Sequence, residues 1–185
     1  MKIPRILGVM FLLAAPLMIS GCATLDKNEC ASVSWYDLGL RDGQSGQTSI
    51  YVAKHVKACA KHGIPVDEQS WRTGWDSGIR VYCTPENGLN VGSQGGHYAD
   101  SCPADQALLF RGAYDVGRAY HNATRERDRI YNEISTLKSD ASREKDLAKK
   151  NAIQSEIFIL QNELFAAERQ VEDAQYDVQR YRENL

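Results

Sequence analysis

His55, Cys59 and His62 stand in the pattern H-x3-C-x2-H. On a helix that spacing collects two imidazoles and a sulfur within about two turns, a donor set that suits zinc. The sulfur has a competing use, because thiols of exported chains are consumed by disulfides. His97 and His121 are isolated in the sequence. With the disulfide reading preferred for Cys59, no metal ligand and no cofactor is assigned.

Other patterns fall short of a reaction. GQSGQTS at 43–49 has the glycines of a phosphate loop without its lysine or its spacing. GLNVGSQGG at 88–96 follows no apolar strand, as a dinucleotide site requires. Neither a G-x-S-x-G elbow nor an H-E-x-x-H helix is present. Adjacent carboxylates such as Asp67 and Glu68 read as solvated or capping groups. No catalytic residue is assigned, and the chain is read as a non-enzyme. The alternative is a periplasmic module that binds a small ligand or metal, with Trp35, Trp71, Trp75 and Tyr98 as walls. An envelope hydrolase is a third reading, with no residues to carry it.

Where the chain would work is written in its first two dozen residues. Lys2 and Arg5 precede an apolar run, Ile6 to Ile19, interrupted by Pro16. A basic start, a short apolar stretch and small residues make a secretory signal. The run is too short for a span, which takes about 20 apolar residues. Ile19-Ser20-Gly21-Cys22 resembles the bacterial lipobox. The resemblance implies cleavage after Gly21, diacylglycerol on Cys22 and acylation of the new amino terminus. Each buried methylene contributes about 0.8 kcal/mol, so two or more chains anchor stably. Ala23, where an Asp would retain the protein in the inner membrane, implies the outer membrane, facing the periplasm. Residues 1–21 are then signal peptide, and 22–34 a lipidated N terminus and linker.

With Cys22 on lipid, Cys30, Cys59, Cys83 and Cys102 remain. Four cysteines allow three pairings. Cys30–Cys59 with Cys83–Cys102 is expected, because both close short loops, each worth about 2–4 kcal/mol. Loss of Lys2 and Arg5 makes the net charge of −2 two units more negative. Nothing there favours nucleic acid, which wants a basic face.

The elements that must carry these residues divide sharply. All 14 glycines, five prolines and five cysteines precede Arg118. Residues 35–120 are therefore read as a Cys- and Gly-rich helical domain and 121–185 as a coiled coil. In the latter, Ile153, Ile157, Leu160, Leu164, Ala167, Val171, Ala174, Val178, Tyr181 and Leu185 step by 4 and 3 without error, a heptad seam. Tyr120, Ala123, Arg127, Ile130, Ile134, Leu137 and Ala141 form a weaker seam, out of phase with the first. Ser139, Asp140 and Ser142 between them favour turns or caps. Two antiparallel helices, 104–139 and 144–184, are expected, the second about 60 Å long. One long helix paired with another copy is the alternative. Phe158, Ile159 and Phe165 lie beside the seam, and either pack on the N-terminal half or form a face for a protein partner.

The glycines also keep helical spacing. Trp35, Gly39, Gly43 and Gly46 step by 4, 4 and 3, and Trp71, Gly74, Gly78 and Tyr82 by 3, 4 and 4. A helical glycine costs about 1 kcal/mol relative to alanine, so a close helix crossing is the expected return. YDLG at Tyr36, WDSG at Trp75 and YDVG at Tyr114 recur every 39 residues. The intervening sequence does not align, which leaves duplication and coincidence both open.

Several of these pieces occur in one order: W-x3-G-x3-G from Trp35, Cys59 before His62-Gly63, W-x2-G-x3-G-I-x2-Y-C-x-P-x2-G from Trp71 to Gly88, G-x3-G-x-Y, and Cys102-Pro103. The combination, over about residues 30 to 120, resembles a domain of unknown function numbered 2799, a family of bacterial envelope lipoproteins. The resemblance implies an α-helical, cysteine-bridged domain and supplies no activity. The expected architecture is all-α, a disulfide-bridged Gly-rich domain followed by a long coiled-coil helix or antiparallel hairpin. The expected partners are the membrane, through lipid, and a protein or second copy, through the coiled coil.

Overall fold

Seven helices make up the computed structural model, which describes residues 24–185; the expected signal peptide, residues 1–21, and Cys22 lie outside the described residues. α1 (Lys27–Ser32) begins in a capping box. The Asp26 carboxylate accepts from the Glu29 amide at 2.8 Å, and Glu29 Oε2 accepts from the Asp26 amide at 2.7 Å. Ser34, Asp67 and Thr84 cap α2 (Trp35–Gln44), α4 (Glu68–Tyr82) and α5 (Pro85–Ser93) without the return bond, each side chain accepting from the amide of Asp37, Ser70 or Asn87. Each cap gives one otherwise unpaired amide a partner, worth about 1 kcal/mol. α3 (Val52–Ala60) lies in the connection between α2 and α4. The linker expected over 22–34 is, from Thr24 on, packed structure: Leu25 and Cys30 are buried in the main core.

α2 and α4 run parallel and touch backbone to backbone. A methyl on Gly39 would stand 2.0 Å from the Trp71 carbonyl oxygen, and one on Gly74 would stand 1.9 Å from that of Tyr36. One turn on, a methyl on Gly43 would stand 2.5 Å from the Trp75 oxygen, and one on Gly78 2.1 Å from that of Leu40. Only a residue without Cβ lets carbonyls approach so closely, the geometry of small-xxx-small crossings and of Cα–H···O contacts.

α5 and the start of α6 (Ala104–Arg143) repeat this crossing. A methyl on Gly88 would stand 2.5 Å from the Phe110 oxygen, one on Gly92 2.2 Å from that of Tyr114, and one on Gly117 2.3 Å from that of Leu89. Gly39, Gly43 and Gly46 thus correspond to Gly88, Gly92 and Gly95, while Trp71, Trp75 and Gly78 correspond to Phe110, Tyr114 and Gly117. Gly46 and Gly95 both hold φ near +73° and lie against a ring, Tyr82 and His121 respectively. Trp75 Nε1 donates to the Gln47 carbonyl at 2.7 Å, and the Tyr114 hydroxyl to that of Gly96 at 3.0 Å. The domain is therefore two copies of one unit. The recurrence at Trp75 and Tyr114 belongs to it, whereas Tyr36 lies on α2, the counterpart of α5.

Parallel neighbours oblige the connecting chain to return to the starting end. Each disulfide holds it there: Cys30–Cys59 in the first unit and Cys83–Cys102 in the second. Cys83 and Cys102 stand directly ahead of α5 and α6.

α6 continues without a break past residue 120, so the Gly-rich unit and the coiled coil share one helix of about 60 Å. It turns back through residues 144–146 into α7 (Leu147–Glu183), whose cap Asp146 accepts from the Ala148 and Lys149 amides. The pair is an antiparallel hairpin. Ser139, Asp140 and Ser142 are not its turn, as expected from sequence, but the last turn of α6. Ile130, Ile134, Leu160 and Ala167 are buried between the two helices, with Leu137, Ile157 and Leu164 packed against them. Near the base, Val178 joins Leu89 and Ala113. Leu185, counted into the seam, is 58 % exposed, because α7 ends two residues earlier.

The crossings are tested by paired substitutions. Gly78→Ala and Gly117→Ala, which drive a methyl into backbone, each destabilise by about 3 kcal/mol or more. Gly112→Ala, at a helical position with open space around it, stabilises by up to about 1 kcal/mol. Urea denaturation of the oxidised protein reads all three.

Candidate functional site

One cluster of chemistry-bearing side chains sits inside the first unit. The α2/α4 crossing brings Asp42 to Trp71, and α3 lays His55 against both. Asp42 Oδ2 accepts from Trp71 Nε1 at 2.8 Å and lies 2.9 Å from His55 Nε2. His55 Nδ1 lies 3.0 Å from the Thr24 hydroxyl. Since a carboxylate only accepts, the neutral imidazole carries its proton on Nε2 and leaves Nδ1 to accept from Thr24. The His55 ring is closed in by Tyr51, edge-on at 5.3 Å, and by Trp71 at 6.4 Å, and the residue is 2 % exposed.

Acid, imidazole and hydroxyl are the parts of a nucleophilic triad. Here the same carboxylate oxygen is shared with an indole, both ring nitrogens are engaged, and the ring is shut from solvent. Such a cluster is suited to clamping four chain segments, α2, α3, α4 and the strip before α1. The metal pattern dissolves in the same geometry. Cys59 is consumed by its disulfide, His55 faces inward, and His62 lies exposed in the turn after α3. No group of three His, Cys, Asp or Glu residues among the described residues stands within reach of one metal ion.

In the second unit the places of Asp42 and Trp71 are taken by Val91 and Phe110, and apolar rings replace the polar clamp. Phe110 packs on Tyr98 at 4.6 Å and on Tyr82 at 5.2 Å. Burial pushes the phenols of Tyr82 and Tyr98 above their usual range. Of the four expected ligand walls, Trp71 and Trp75 are buried core, while Trp35 and Tyr98 pack against that core half-buried.

The hairpin offers a different kind of site. Phe158, Ile159 and Phe165 are 66 %, 58 % and 62 % exposed, so they do not pack on the N-terminal half. The Arg169 guanidinium lies over the Phe165 ring at 5.1 Å. On α6, Arg129 bridges Glu126 and Glu133 and holds the Glu126 carboxyl below its usual range. At the hairpin base, Pro85, Leu109, Val116, Tyr181 and Leu185 line a cleft of about 490 Å³.

Sequence reasoning found His55 but missed Asp42 and Thr24, which stand 13 and 31 residues away in no local pattern. The available signal was comparative: GLRDG at 39–43 against GLNVG at 88–92, a charged residue where the second copy has valine.

Replacing Asp42 by Val strands the Trp71 and His55 donors and costs about 3 kcal/mol. Adding Trp71→Phe and His55→Leu removes both orphans and restores most of that loss. Urea midpoints of the single and triple variants measure the coupling.

Residues 34–119 match the family model described as "Protein of unknown function (DUF2799)". No curated protein and no solved structure matches the chain.

Proposed function

We propose that this chain, whose residues 34–119 form a domain of the DUF2799 family, is a non-catalytic lipoprotein of the bacterial outer membrane. It is held by lipid on Cys22, faces the periplasm, and uses its helical hairpin as an arm for protein contacts. The observation that carries this reading is the hairpin itself. Its seam is satisfied internally, yet Phe158, Ile159 and Phe165 remain outside it in water. Rings that neither the partner helix nor the Gly-rich domain covers are what an interaction face requires. The lipid anchor rests on the lipobox-like Ile19-Ser20-Gly21-Cys22. The clamped His55 and the disulfide-bound Cys59 support a structural rather than chemical use of the domain.

Two measurements test the proposal. Metabolic labelling with a palmitate analogue tags the wild-type protein and not Cys22→Ala; labelling of both alike, or of neither, removes the anchor on Cys22. A photo-reactive phenylalanine analogue at Phe158 or Phe165 captures another envelope protein in cells, while the same group at the exposed Ser155 captures little. Equal capture from all three positions, or none from the two Phe positions, overturns the interaction face.

A further inference from the structure

The membrane-facing surface of the domain is legible once the start of the folded chain is followed. Thr24 is locked to His55, the next residue Leu25 is buried, and Cys30 is bonded to Cys59. Both Thr24 and Cys30 are thereby tied to α3. Cys22 is two residues before Thr24, a reach of at most about 7 Å. That is shorter than the screening length of about 8 Å at physiological salt. If Cys22 carries lipid, α3 sits within electrostatic range of the headgroups.

The outer face of α3 fits such a neighbour. Val52, His55 and Cys59 point into the core. Lys54 and Lys57 share the opposite stripe of α3, and Ile50 in the turn ahead of the helix and Lys61 at its C-cap continue it at steps of 4. All four are exposed, Ile50 by 76 %. From Gly43 through Val66 there are three lysines and no carboxylate. The nearest acid before this stretch, Asp42, is turned inward to His55 and Trp71. On neighbouring α1, Asp26 and Glu29 are engaged in the capping box. The chain as a whole is acidic, so this concentration of cations runs against its average. Tyr51, with the Lys54 ammonium over its ring at 4.4 Å, adds the aromatic type that favours bilayer interfaces.

We propose that the α3 stripe of Ile50, Lys54, Lys57 and Lys61 is a docking surface for anionic phospholipid headgroups. It makes the domain lie on the bilayer in one orientation instead of trailing from its lipid. The inference rests on the anchored reading of Cys22. An acyl anchor combined with a cationic patch is the two-signal arrangement that peripheral proteins use. The His55 clamp then has a purpose that the second unit, which lacks α3, does not share: it fixes the anchor point to the patch.

The test compares the full lipidated protein in two vesicle types, phosphatidylcholine alone and equal parts phosphatidylcholine and phosphatidylglycerol. Amine-modifying reagent and mass spectrometry read the lysines, with Lys145 and Lys149 at the hairpin turn as internal standards. On the anionic vesicles, Lys54, Lys57 and Lys61 are modified about fivefold more slowly than on phosphatidylcholine, since each cation near such a surface contributes about that factor. Lys145 and Lys149 react equally on both. Lys57→Glu weakens the protection at Lys54 and Lys61 while the protein still floats with the vesicles. Flotation in high salt reports the anchor separately. A protein that floats but whose α3 lysines react equally on both vesicles overturns the docking surface alone. A protein that does not float overturns the anchor and this inference with it.

Discussion

Two helix pairs whose backbones touch are the constraint from which the rest of this protein follows. A carbonyl oxygen within about 2 Å of where a Cβ would be admits glycine and nothing else, and it repeats at successive turns of both crossings. Because the crossed helices run parallel, each needs a returning connection, and the disulfides pin those connections to the starting end. A domain with so many helical glycines forgoes about 1 kcal/mol per position in propensity. Close packing, caps and two bridges offset that loss.

Duplication of this unit explains what its sequence conceals. The two copies differ by ten residues in the length of their connection, so the first helices recur at a spacing of 49 and the second helices at 39. A search at one period finds half of the correspondence and adds a false member, Tyr36. The glycine steps predicted close helix contacts, and the structure has them. They could not say which helices meet, because a crossing depends on chain direction, which spacing does not encode. The disulfide pairing is the one of the three possible that closes the shortest loops in total, with separations of 29 and 19 residues.

The hairpin was more legible than the domain. Its seams are local, with a period fixed by helix geometry, and every position from Ile153 to Tyr181 in the long seam is at least half-buried. The sequence puts the turn several residues early, because Ser139, Asp140 and Ser142 have cap-forming side chains; in the structure Ser142 donates to the Ser139 carbonyl and Asp140 pairs with Arg143 within the helix. Asp146, which takes two of the orphan amides of α7 on its carboxylate, is the residue that starts the return helix. The compositional break near residue 118 is real, but it divides one helix. Glycine stops where α6 no longer has a crossing to make, and heptads begin where it acquires α7.

The exposed Phe158 stripe and the cationic α3 stripe occupy different elements, so the proposed partner contact and the proposed membrane contact do not compete for one surface. Native-state hydrogen exchange of the oxidised protein tests the account most directly. The account predicts the slowest exchange in α2, α4, α5 and residues 104–120 of α6, where backbones interlock, with the hairpin near residues 144–146 exchanging much faster. Fast exchange throughout α2 and α5, with the slowest amides confined to the hairpin, would contradict it.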